Sequence, residues 1–204
     1  MKKIFFIMAV IAIITQTTSA QGGFGITAGV VSSNYSAKYE DLTISLKSKV
    51  GLTFGVMGNL PLSKSFSFQP GVNYVQKGAS VSSDGDKATI KLNYIEAPLN
   101  FVYNAPEKNG HFYAGAGPSL AYGISAKTTA NGVEEKGHFG SGPEDVAKPF
   151  EIGANVLAGY QFAGGVNIAV NYNRGLNNIS SDGSTKEHNY YFGLRLGYML
   201  SGKK

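Results

Sequence analysis

The sequence predicts an all-β fold: an eight-stranded antiparallel up-and-down transmembrane β-barrel, preceded by a signal peptide. Three observations predict it. Apolar and polar residues alternate with a period of two through eight segments. The connections between those segments alternate strictly between short and long. The polar face of the alternation is made of Gly, Asn, Ser and Gln rather than Lys, Glu and Thr.

The signal comes first. Lys2 and Lys3 supply a positive start, Ile4 to Ile14 an unbroken apolar run, and Thr18-Ser19-Ala20 small residues before a cut. An apolar run of about eleven residues is too short to cross ~30 Å of hydrocarbon as a helix. Residues 1–20 therefore read as a cleaved signal peptide and residues 21–204 as one barrel domain. Removing Lys2 and Lys3 leaves 16 basic against 13 acidic residues, a net charge of +3. No basic stripe runs along the chain, so no nucleic-acid partner is expected. Charged residues are 15% of the chain, against ~25% in soluble domains. Cys is absent, so an exported chain of this size must be held by its core or by closure of a sheet.

The strands are expected at about 22–33, 48–60, 65–79, 88–104, 111–127, 149–162, 166–177 and 187–201. The first sets Phe24, Ile26, Ala28 and Val30 against Gly25, Thr27 and Gly29. Pro98 marks a bulge or bend in the fourth. The fifth sets Phe112, Ala114 and Ala116 against Tyr113, Gly115 and Gly117, and the sixth Phe150, Ile152 and Val156 against Glu151, Gly153 and Asn155. In the seventh, Val166, Ile168, Val170 and Tyr172 oppose Asn167, Ala169, Asn171 and Asn173. In the eighth, Tyr190, Phe192, Leu194, Leu196 and Tyr198 oppose Asn189, Tyr191, Gly193, Arg195 and Gly197.

Alternation alone does not say which face is inside, since a soluble lipocalin-like barrel alternates too. Composition decides. Small and amide side chains suit a narrow lumen, because eight strands leave room only for their own side chains. Aromatics near the strand ends of the apolar face, such as Phe112 with Tyr122 and Tyr190 with Tyr198, suit the two interfaces of a membrane. The short links at 61–64, 105–110 and 163–165 read as periplasmic turns, and the long ones at about 34–47, 80–87, 128–148 and 178–186 as external loops. Both chain ends are then periplasmic, and the location is the bacterial outer membrane.

Extending the parity puts Lys77, Glu96, Glu151 and Arg195 on the lumen face. Two positive and two negative charges balance, and buried charges need partners. Arg195 is expected to pair with Glu151 or Glu96, with Lys77 nearer the external end. A filled, hydrogen-bonded interior explains such a network better than an ion path does.

No chemistry of an enzyme stands out. His111, His138 and His188 lack metal-ligand spacing, so no metal and no cofactor is expected. Ser181, Asp182 and His188 share one end, yet loop Ser and Asp are usually turn formers. Ser83-Asp84-Gly85-Asp86 reads as a loop turn. The longest loop, Thr128 to Lys148, carries Glu134, Glu135, His138, Phe139, Pro143, Glu144 and Asp145, and is where an external partner would bind.

Two segments resemble a known family: Phe66-Ser67-Phe68-Gln69-Pro70-Gly71 through Tyr74 and Lys77-Gly78, then Tyr94-Ile95-Glu96-Ala97-Pro98-Leu99. They are similar to the paired strands of the PorT family of outer-membrane β-barrels from the Bacteroidetes. Tyr113 to Pro118, Asn171 to Ile179 and Leu196-Gly197-Tyr198 extend the resemblance over nearly all of the mature chain. Gly71 stands where the family has Glu, Glu151 where Asp is more familiar, and Met199 to Lys204 follow the last aromatic. The resemblance implies the barrel fold, the outer membrane and, through the founding member, a link to type IX protein secretion. It also implies that Gly193 to Tyr198 is recognised by the barrel-assembly machinery.

The favoured function is that of a non-enzymatic barrel embedded in outer-membrane lipid, touching envelope or secretion proteins. Two alternatives stand beside it: a soluble periplasmic lipocalin-like binder of small ligands, and a lipid-modifying enzyme working from the external loops. A pore is disfavoured because side chains fill an eight-stranded lumen.

Overall fold

A computed structural model describes residues 22–39, 42–45, 47–83, 86–105, 109–142, 144–181 and 185–200. The expected signal peptide, the Asp84-Gly85 turn, Pro143, Asp182 and residues 201–204 lie outside the described residues. The strands are β1 (Gly23–Tyr39), β2 (Leu42–Ser45), β3 (Lys47–Pro61), β4 (Phe66–Ser83) and β5 (Asp86–Asn104). Then follow β6 (Gly110–Ala130), β7 (Val133–Gly137), β8 (Phe150–Phe162), β9 (Val166–Gly175) and β10 (Lys186–Leu200).

Eight of these form a closed antiparallel ring in the order β10-β9-β8-β6-β5-β4-β3-β1, and β1 returns to pair with β10. Closure leaves no open sheet edge in the wall, which a hydrocarbon environment requires. Ring strands of 10 to 21 residues exceed the ~9–11 needed to cross a bilayer, so their ends project beyond it. The projecting ends are where expectation and structure differ. The segments 34–47 and 80–87, read as loops, are largely strand: β1 runs to Tyr39 and pairs with β2, and β4 and β5 stay paired to Ser83 and Asp86. Polar sequence there keeps its backbone groups satisfied by continuing the ladder.

The loop after β6 also begins as a hairpin. Asn131 and Gly132 both have positive φ, 50° and 86°. That is the backbone of a two-residue primed turn, which Asn-Gly favours. β7 folds back from it onto β6, pairing Val133 with Ala130 and Gly137 with Ala126.

The alternation resolves as a hydrophobic exterior and a polar interior. Ile26, Leu52, Phe54, Phe112, Val156, Val170 and Leu196 are all exposed on the outside. Asn73, Asn155, Asn167, Asn171, Asn173 and Asn189 are buried within the ring. This excludes the lipocalin-like alternative, whose apolar face must turn inward. Aromatic pairs cap the outer band at both ends: Phe66 with Tyr103 and Phe112 with Tyr160 near the short turns, Phe54 with Tyr74 and Tyr172 with Phe192 toward the long loops. Pro98 does not bulge the wall; it stays in register opposite Ser119. The register break on that pair of strands lies at Asn93/Tyr94, and a second lies between Ser48 and Thr53 on β3 against β4.

Candidate functional site

The interior is organised around Lys77 of β4. Its long side chain reaches two acidic residues of one row, Glu96 on the adjacent β5 and Glu151 on β8, which are in register with Ala121 between them. Lys77 Nζ lies 2.7 Å from Glu151 Oε1 and 3.1 Å from Glu96 Oε2, and all three side chains are about 1% exposed. Each carboxylate has a second donor. Asn189 Nδ2 donates to Glu151 Oε2 at 2.6 Å, and the Tyr191 hydroxyl donates to Glu96 Oε1 at 2.6 Å. The rings of Tyr94 and Tyr191 flank the ammonium, with centroids 4.9 and 5.3 Å from Nζ. A cation between two aromatic faces and two carboxylates keeps a buried charge tolerable.

Arg195 completes the charge balance from a different level. It does not pair directly with Glu151 or Glu96, as expected from parity. Its Nη2 donates to the Tyr191 hydroxyl at 3.2 Å, so it reaches Glu96 only through that hydroxyl. The reason is position along β10: Arg195 stands four residues beyond Tyr191 toward the short turns, ~13 Å along a strand. The two carboxylates share a row that meets β4 at Asn73, and the Lys77 ammonium reaches it from four residues toward the long loops.

Below this knot the interior is a relay of amides. Asn155 donates to Asn100 at 2.9 Å, Asn171 donates to Asn155 at 3.2 Å, and Asn173 donates to the Ser119 hydroxyl at 2.8 Å. A cavity of about 50 Å³ lies here, lined by Asn73, Asn100, Asn155, Asn171, Tyr113 and Arg195 among others. It has room for a few water molecules and too little for a substrate.

The long-loop mouth is closed by the chain itself. Phe139 packs edge-on against Tyr94 at 5.3 Å and joins a cluster with Leu92, Ala121 and Ala126. Gly123 makes space for that ring, since a Cβ at 123 would collide with it. The segment behind Phe139 is held by backbone bonds: Val146 N–H to the His138 carbonyl, Gly140 N–H to the Ala147 carbonyl, and Lys148 N–H to the Ile179 carbonyl. Ala147 and Ile179 are buried beneath it.

The residues expected to meet a partner therefore divide. Glu135, His138 and Glu144 are exposed. Glu134 is exposed but bonded by Lys127. Phe139 is turned inward as the plug, and the Asp145 side chain accepts from the Gly142 N–H while the Ser181 hydroxyl donates to the Asp145 carbonyl. That bond commits Ser181 to loop structure rather than to a base. Among the described residues no group of three or more His, Asp or Glu is placed to hold a metal ion.

The plug and the hairpin were missed in sequence. Asn131-Gly132 was a legible hairpin signal. The fit of Phe139 over Gly123 had none.

A closed ring, apolar outside and amide-filled inside, matches what the sequence comparisons find. A model of the outer membrane protein beta-barrel domain matches residues 16–181. The chain belongs to that family. Its location as a member is the bacterial outer membrane. Among solved structures, the outer membrane protein OprG from Pseudomonas aeruginosa is similar at a TM-score of 0.51 and 16% identity, over 90% of this chain and 98% of that one. Neisserial surface protein A matches at 0.49 and 15%, over 86% and 96%. The outer membrane enzyme PagL matches at 0.49 and 14%, over 85% and 98%. At such identities the likeness is one of fold. No curated protein matches the sequence.

Proposed function

We propose that this family member is a non-enzymatic interaction barrel of the cell envelope, with its long loops outside the cell and its short turns and both chain ends in the periplasm. The observation that carries the reading is the self-plugged mouth. Phe139 fills the lumen entrance against Tyr94, while Glu135, His138 and Glu144 of the same connection stay exposed. A barrel closed in this way conducts nothing and presents a braced loop surface, which suits binding more than transport. The partners we infer are outer-membrane lipid around the wall, envelope proteins at the loops, and the assembly machinery at Gly193 to Tyr198 during insertion. The resemblance to the PorT family supports components of type IX secretion as the first proteins to look for.

The experiment has two parts. In isolated outer membrane, the unboiled protein should run faster than the boiled protein on a denaturing gel. A photo-cross-linking residue at 135, 138 or 144 should then yield discrete adducts with envelope proteins, and one at Leu62 in a short turn should not yield the same set. A normal heat shift with no adduct from any loop position would sink the interaction role while leaving the barrel intact.

A further inference from the structure

The basic residues scattered in sequence are gathered by register. Gly78 on β4 pairs with Lys91 on β5, Lys91 with Lys127 on β6, and Lys127 with Lys136 on β7. Directly opposed residues share a face of a sheet. Their chain neighbours Lys77, Leu92 and Ala126 are buried on the lumen side, so these lysines stand on the outer side. Lys49 joins the end of the row: its aliphatic stem lies across Gly78, and its charge is within electrostatic reach of Lys91.

Like charges placed directly opposite each other repel and weaken a sheet. Here three lysines are consecutive across three strands. Among the described residues the row's acidic ion-pair partner is Glu134, which bonds Lys127. Among the described residues one carboxylate stands against three opposed lysines, so the row carries a surplus of positive charge.

Its height on the wall says what could. A second cross-strand row, Phe54, Tyr74, Ile95, Tyr122 and Phe150, runs beneath it on the same outer side. Rows of outward aromatics sit at the interface between hydrocarbon and headgroups. Tyr74, Ile95 and Tyr122 are four or five residues below Gly78, Lys91 and Lys127, ~13–17 Å along the strand and less along the membrane normal because barrel strands tilt. The lysines therefore stand just above the interface, with stems long enough to swing their charges back toward it.

We infer that Lys91, Lys127 and Lys136, with Lys49 at the rim, form a cradle for the phosphate groups of an anionic phosphomonoester lipid in the leaflet nearest the long loops. The inference rests on the barrel lying in a bilayer. The heat shift reads that premise separately from lipid binding.

The test uses the full-length exported protein in nanodiscs of phosphatidylcholine containing phosphatidic acid as the phosphomonoester probe. Lipid retained by the protein is read by native mass spectrometry. Each basic residue near an anionic surface is worth about a factor of five in affinity. The triple variant K91Q/K127Q/K136Q should lose retention by about tenfold or more, with its heat shift intact. The charge-matched variant K64Q/K148Q/K186Q, off the row, should keep it, and K91R/K127R/K136R should keep it too. Should the triple Gln variant fail to insert, K136Q alone carries the test, because β7 lies outside the ring; about a fivefold drop is expected. Unchanged retention in a row variant that inserts overturns the cradle, as does an equal loss in the off-row variant, which would reduce the effect to net charge.

Discussion

The two halves of the lumen solve one problem in different ways. Toward the long loops, Lys77 is locked between Glu96 and Glu151, with Tyr94 and Tyr191 against it and Phe139 sealing the top. Toward the short turns, Asn100, Asn155 and Asn171 pass neutral hydrogen bonds across the ring beside a small cavity. The charged half is fully buried and tightly coupled, so removing one member leaves buried charges unpaired. The amide half has room for water, which can replace a lost partner. Where a polar interior is sealed, its interactions become all-or-none; where it is hydrated, they become individually replaceable.

Lys77→Met breaks the comparison hardest. It strands two carboxylates in a sealed site, and losing one partner of a buried ion pair costs ~3–5 kcal/mol. The unfolding midpoint of the refolded protein in detergent, followed by the heat-shifted band against urea, should fall sharply. The combined change Lys77→Met, Glu96→Gln and Glu151→Gln should recover much of that loss, since the one lumen charge left, Arg195, is only half-buried beside the cavity. A triple variant as unstable as the single one would show that shape, not charge, governs this half.

Asn155→Ala should cost less. It removes both a donor to Asn100 and an acceptor for Asn171, at ~1–3 kcal/mol before water replaces them. The same urea titration checks it. A loss equal to that of Lys77→Met would erase the difference between the halves.

The two halves were also unequally legible in sequence. The amide half follows from parity alone: Asn167, Asn171 and Asn173 share the lumen-facing parity of β9, and each can meet any neighbour of similar kind. The charged half was identified by its members and mispaired, because partners across the ring depend on the stagger at which the sheet closes. Strand-by-strand parity says which face a residue takes and nothing of its height. That is why Arg195, four residues below Tyr191, was given the role that Lys77 holds. The lysine row escaped for the same reason: Lys91, Lys127 and Lys136 become neighbours only through register.

Outside the wall, the same pairing of Lys with Glu is worth far less, and that contrast sharpens the comparison. Glu134 on β7 is exposed, and its carboxyl is held below the usual glutamate range. The hydrogen bond from Lys127 is the main cause and the charge of Lys127 the next, with Lys91 and Lys136 adding to them. A depressed carboxyl contributes stability that is present above its unfolded value, ~4.3, and is lost as pH falls through the folded value. Solvent screens this pair, so Glu134→Gln should leave the urea midpoint at neutral pH unchanged within error. The titration itself should still report the contact. In an NMR titration of the Glu134 carboxyl, Lys127→Gln should move the midpoint upward toward the ordinary range. A midpoint that stays depressed would assign the shift to Lys91 and Lys136 instead. An unfolding midpoint that fell with Glu134→Gln as it does with Lys77→Met would mean that sealing the lumen is not what separates the strong pair from the weak one.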